Sequence, residues 1–215
     1  RFARTAASAA ITMLLIVLVA APWTLRNQRV FGEPVLISTN FGANLWMGNN
    51  PDSTGGYMPL PPEVATMSEL ERDAWLEAEA KRFILENPGA DIRLLGQKLV
   101  RLYIRETIGV VWNETSLRAL AGDTGILAAK LVATGYWYLL LLGAVAGVVV
   151  IGRSQGLVAA FFNQPVALWG YFTALHVVVV ADDRYHMPAS PFIVVLTAVA
   201  LNAALSRRLT SERPA

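Results

Sequence analysis

The sequence predicts an all-α membrane protein of about four transmembrane helices with a large, mainly helical extracytoplasmic loop. Three observations carry that prediction. Hydrophobic residues make up 54% of the 215 and charged residues 16%, against about 25% charge in soluble domains, and the mean hydropathy is +0.44. Four apolar stretches come close to the roughly 20 residues that a helix needs to cross a 30 Å hydrocarbon core. The one long polar segment carries helix caps and a helical period.

The first apolar stretch, 6–23, is interrupted only by Ser8 and Thr12, follows Arg1 and Arg4, and closes on Pro22-Trp23. The next is 131–151, with Lys130 placed to snorkel at its entrance. The third, 157–181, is broken near its start by Asn163, Gln164 and Pro165, and the last, 188–205, is short. Lys and Arg in short flanking segments set orientation. One side has Arg1, Arg4, Arg153, Arg207, Arg208 and Arg213; the only short loop opposite has Arg184 alone. Both termini are therefore expected on the cytoplasmic side of the inner (plasma) membrane, with 24–130 outside and 206–215 as a cytoplasmic tail. A rival reading makes 1–21 a cleaved signal peptide ending at Val19-Ala20-Ala21; it also leaves the loop outside.

Within the loop, 35–38 is β-prone and 40–56, rich in Asn and Gly, reads as irregular backbone. Ser68 with Glu71 has the form of a capping box that opens a helix. Leu76, Ala80, Phe83 and Ile84 share one of its faces, Glu77 and Lys81 form an i,i+4 pair, and Asn87-Pro88-Gly89 ends it. A second helix is predicted over 90–107. Its Ile92, Leu95, Leu99, Leu102 and Tyr103 make an apolar stripe, with Lys98, Arg101 and Arg105 beside them. That pattern suits a helix lying on a bilayer in reach of a lipid phosphate, and equally a solvated basic face.

Net charge is +2, and the 18 basic residues form no runs, which sets nucleic-acid binding aside. With no cysteine and two histidines, the sequence offers no metal centre, and no nucleotide or dinucleotide fingerprint appears, so no cofactor is expected. The candidate residues lie instead at the expected membrane surface. Arg26, just beyond the first span, suits bidentate pairing with a phosphate, and Arg29 suits snorkelling. Asn40, Asn44, Trp46 and Asn49 offer carboxamides and an aromatic face of the kind that binds sugars, in a segment that also reads as a string of turns. Asp182, Asp183, Arg184, Tyr185 and His186 cluster at the outer end of the third span, fit either for a polar substrate or for a local ion-pair network. His176, about two turns deeper, is a further ionisable candidate, or a histidine bonded within the bundle.

Pro22-Trp23-Thr24-Leu25-Arg26-Asn27 with Phe31-Gly32, the 39–51 segment, and Arg184-Tyr185-His186-Met187-Pro188 with Pro191-Phe192 carry a resemblance. From about residue 5 to 206 the chain resembles the C-terminal portion of bacterial C-type-fold membrane glycosyltransferases. The nearest group contains the dolichyl-phosphate-mannose protein mannosyltransferase relatives and the lipid A aminoarabinose transferase. The resemblance implies a donor sugar on a polyprenyl phosphate and a lipid, glycan or protein acceptor. It also implies a basic group that holds the carrier phosphate: Arg26 first, then Arg184, with Lys98 and Arg101 from the loop helix. Asn40, Asn44, Trp46, Asn49, Tyr185 and His186 become candidate sugar or acceptor contacts. Family members have more spans, and their catalytic acidic residues sit in an early outer loop that has no counterpart here. With Arg1 as first residue, the expectation is a C-terminal part that transfers no sugar alone. The alternative is a noncatalytic membrane module that binds lipid or assembles an envelope complex.

Overall fold

The structure is a computed structural model that describes residues 2–211, with side-chain surroundings for 4–206. Arg1, Arg213 and the side chains of Arg207 and Arg208, which entered the orientation argument, lie outside the described residues. Among those described, every regular element is a helix.

Helix α1 (Phe2–Phe31) runs about two turns past Trp23, carrying Pro22 within it. None of its most apolar window is buried against the rest of the chain. Its outer end instead holds the segment that follows. Trp23 Nε1 donates to the Ile37 carbonyl (2.7 Å), Thr24 Oγ1 to that of Leu36 (2.9 Å), and Asn27 Nδ2 to those of Val35 and Ile37 (both 3.2 Å). The β-prone stretch thus pairs with helix side chains and forms no strand.

Helix α2 (Phe41–Gly48) stands where irregular backbone was predicted. Its sequence is a poor helix former, and tertiary bonds supply what propensity does not. Asp73 of α3 (Glu69–Glu86) accepts from the Ala43 amide at the open N-terminus of α2 (3.2 Å). Gly42 permits that approach, since a Cβ there would lie 1.9 Å from the Asp73 carbonyl oxygen. Helix α3 begins at Ser68 through the capping box, with Leu76 and Ala80 fully buried and Glu77 paired with Lys81.

Helix α4 (Pro88–Tyr103) differs from the sequence reading in two ways. It ends earlier, because the chain turns away so that Thr107 can bond Asp183. Its buried row is Leu94, Lys98 and Leu102, while Ile92 is 69% exposed and Leu99 46%. Hydropathy assigns lysine to the outside, and here a lysine holds the centre of the inner face.

A short helix α5 (Ile108–Trp112) leads to α6 (Glu114–Gln155), bent where Gly122 adopts φ +63°. The stretch 157–181 is not one helix. It divides into α7 (Leu157–Phe161) and α8 (Gln164–Val178), because Asn163 caps Val166 N (3.0 Å) and Pro165 occupies the first turn. Helix α9 (Ser190–Ser211) packs along α6. Gly143 and Gly147, four residues apart, let the two approach: a Cβ on Gly147 would lie 2.0 Å from the Leu196 carbonyl oxygen. Thr197 Oγ1 donates across the pair to the Leu140 carbonyl (2.9 Å). Trp137, Ala144, Ala189, Ile193 and Leu196 form the core there, with Tyr103, Trp169 and Phe172 packed on it. Among the described residues, three helical segments, Arg4–Phe31, Glu114–Gln155 and Met187–Ser206, are long and apolar enough to cross a membrane.

Candidate anion-binding groove

The polar residues of α4 divide by row. Residues 94, 98 and 102, four apart, face inward; Arg93, Gln97 and Arg101, also four apart, face out, and Arg105 extends that row just beyond the helix.

On the inner side Lys98 is 0% exposed. Its Nζ donates to Asn49 Oδ1 (2.6 Å) and to the Val178 carbonyl (3.0 Å). Asn49 Nδ2 in turn donates to the carbonyls of Leu45 (2.8 Å), Val178 and Val179 (both 3.1 Å). One ammonium and one carboxamide therefore tie the end of α2 and the middle of α4 to the C-terminus of α8, where free carbonyls favour a cation. Loss of hydration lowers the Lys98 pKa to about 8, and Asp91 opposes that shift. Gly48 is required at this junction, since its Cβ would sit 1.8 Å from the Val179 carbonyl oxygen.

A second buried cluster joins the α8–α9 turn to the end of α4. His186 stacks on Trp137 at 3.9 Å; its Nδ1 lies 2.8 Å from the Leu102 carbonyl and its Nε2 2.5 Å from Glu106 Oε2. A carbonyl only accepts, so Nδ1 carries a proton. Asp183 Oδ2 accepts from Thr107 N (3.1 Å) and Oγ1 (2.7 Å) and faces Arg105 Nε at 3.5 Å. Arg105 also reaches toward Asp182 (3.9 Å).

The outward row builds an open groove of about 870 Å³. Arg93, Gln97, Arg101 and Arg105 line it with Ser53 and Thr54 from the loop after α2, over a floor of Gly96, Val100 and Ile104. Arg101 Nη2 donates to Thr54 Oγ1 (3.2 Å), and Gly56 packs against the same guanidinium. Arg93 and Arg101, with Arg105 shared with Asp182 and Asp183, the Gln97 carboxamide and the Thr54 hydroxyl offer donors suited to a phosphate or carboxylate, while Ser53 Oγ donates to the Met47 carbonyl (2.7 Å).

Of the residues singled out from sequence, Arg101 lies in this groove, while Lys98 turns away from it into protein acceptors. The reading that grouped Lys98 with Arg101 on one basic face is corrected accordingly. Arg93, Gln97, Ser53 and Thr54 were missed; the four-residue spacing of 93, 97, 101 and 105 was the available signal. Arg26 lies apart on α1, its guanidinium 5.0 Å from the Trp23 ring and bonded to Asn27 Oδ1 (3.1 Å). Arg184 packs over Tyr185 (4.9 Å) and Trp112 (5.9 Å). Tyr185 stacks on His176 (4.9 Å), and both line a cavity of about 210 Å³ with Phe41 and Asn44. Trp46 faces a different cavity of about 150 Å³ beside Arg82 and Asn87, Asn49 is buried, and Asn40 accepts from Asn44 at the start of α2. The structure thus brings Asn44 and Tyr185 together and separates the other proposed sugar contacts. Compared with protein-family models, curated proteins and solved structures, the chain has no match.

Proposed function

We propose that this chain is the C-terminal portion of an integral-membrane glycosyltransferase that takes a sugar from a polyprenyl-phosphate donor at the outer face of the inner membrane. The acceptor is a lipid, a glycan or a protein. In this reading α1, α6, the broken α7–α8 pair and α9 make four crossings, both termini are cytoplasmic, and 24–130 lies outside. The observation that carries it is the groove lined by Arg93, Arg101 and Arg105, in a chain whose described residues include three helices long and apolar enough to cross a membrane. Transfer at an anomeric carbon releases a lipid phosphate, and guanidiniums stabilise the charge that develops on it. The base that deprotonates the acceptor belongs to a preceding segment, so this chain alone transfers no sugar. In the test, the purified chain in nanodiscs is titrated with polyprenyl phosphate. Saturable binding that weakens in Arg93→Ala and Arg101→Ala supports the reading; equal binding by the double variant overturns it.

A second reading, a noncatalytic module that binds anionic lipid, is favoured by one feature. His186 and Asp183, the nearest acid–base groups, are committed to Leu102, Glu106, Thr107 and Arg105. Co-expression with the coding segment upstream separates the two, because only the first reading yields sugar transfer.

A further inference from the structure

A second groove, of about 520 Å³, lies along α1 and is walled by Leu36 and Ile37. Its lining from the helix, Thr12, Leu15, Ile16, Val19, Ala20 and Trp23, is one stripe at helical spacing. Three features define what fits it. From Thr12 to Trp23 the stripe rises about 16 Å at 1.5 Å per residue, close to one leaflet of a hydrocarbon core about 30 Å thick. Arg26 continues the stripe one turn beyond Trp23, so a positive charge sits where the apolar groove ends. The carbonyls of Val35, Leu36 and Ile37 are all bonded by α1 side chains, while Leu36 and Ile37 project 74% and 71% exposed. Bonded carbonyls and outward apolar side chains lower the cost of placing this wall against hydrocarbon.

We propose that this groove seats one acyl chain of an anionic membrane glycerophospholipid, with the headgroup phosphate held by Arg26. The chain lies between the α1 stripe and the Leu36–Ile37 wall, and the guanidinium, steadied by Trp23 and Asn27, presents its remaining donors to the phosphate. The groove's lining runs only from Thr12 to Trp23, the length of one leaflet, whereas a transmembrane helix would lie along a whole span. The inference rests on the membrane reading but not on the donor reading, because it uses a different surface from the Arg93–Arg101–Arg105 groove.

The test uses the full chain in nanodiscs free of polyprenyl phosphate, with photoactivatable diazirine on the acyl chain of phosphatidylglycerol or of phosphatidylcholine. Cross-linked peptides are mapped by mass spectrometry. Cross-links are expected to concentrate on Leu15, Ile16, Val19, Leu36 and Ile37, with phosphatidylglycerol favoured about fivefold, the discrimination one basic residue gives near a charged headgroup. Arg26→Gln brings the two lipids to parity, and Val19→Trp, which fills the groove, removes the concentration for both. Even labelling around α1, with Ile11, Leu14 and Leu18 marked as often, overturns the proposal. So does equal yield from the two lipids in the unmodified chain. Efficient disulfide formation between copies of a Val19→Cys variant also overturns it, since a second copy would then occupy the groove. Arg26 is exposed, so its variant remains informative even if Val19→Trp does not fold. Failure of polyprenyl-phosphate binding leaves this result untouched.

Discussion

Gln97 and Lys98 are neighbours in sequence, yet they belong to opposite regions of α4. On the inner side the amine of Lys98 and the amide of Asn49 spend their donors on helix-end carbonyls. On the outer side Arg93, Gln97 and Arg101 line open space. Among the described residues, no buried side-chain nitrogen or oxygen lacks a hydrogen-bond partner. Polarity by itself therefore separates nothing in this molecule. The division lies between polar groups whose bonds the fold consumes and those whose bonds it leaves for a ligand, with Arg105 belonging to both.

The sharpest way to break this contrast is at Asn49. Asn49→Ala takes the nearest acceptor from a buried ammonium and is expected to cost about 3 kcal/mol of stability, as when one partner of a buried charge is removed. Thermal or denaturant unfolding in detergent measures it. Lys98→Met keeps the stem and discards the charge, so its loss should be clearly smaller; equal losses would place the stabilisation in packing and dissolve the distinction. The lysine also sets a pH dependence. Its folded pKa is lowered from 10.5 to about 8, so between those values the unfolded chain binds more protons. Stability should rise as pH goes from about 8 to about 10.5 and fall back as pH drops through 8. A flat profile in Lys98→Met, next to a rising one in the parent, identifies the group.

On the outer side the expectation reverses. Arg101→Ala should weaken polyprenyl-phosphate binding about tenfold, the scale of one charge-assisted bond, and leave the unfolding midpoint in place. A drop in both would move Arg101 into the consumed class. The smallest effect sets the scale. Ser68→Ala removes the exposed cap of α3, should cost about 1 kcal/mol, and should not touch phosphate binding.

What the sequence revealed follows the same division. Three of the four apolar segments and α3 were legible because hydropathy, helical period and a capping box are local signals, whereas 157–181 divides into α7 and α8. Helix α2 was not, since Asn and Gly in series carry no helical preference. Its start depends on Asp73 and its end on α8, both distant in the chain. Lys98 was misplaced for a related reason: nothing local states that carbonyls from residue 178 await it. The groove was half legible. Arg101 and Arg105 stood out as charges, whereas Arg93 and Gln97 needed the four-residue row to be followed to its start. The cluster at 182–186 was seen as a group of polar residues at one boundary, but its partners Leu102, Glu106 and Thr107 came only with the fold.

The junction at Asn49 also fixes an order of events during synthesis. Asn49 and Lys98 can meet while the chain is still short, but their shared acceptor on Val178 lies 129 and 80 residues further on. At about 5–20 residues per second, the interval between Lys98 and Val178 is roughly 4–16 s. Until it ends, the loop between the first and second apolar helices has no anchor on α8, and an ammonium destined for the interior is still wet. Its dehydration is postponed until α8 has arrived, so a late segment locks an earlier one.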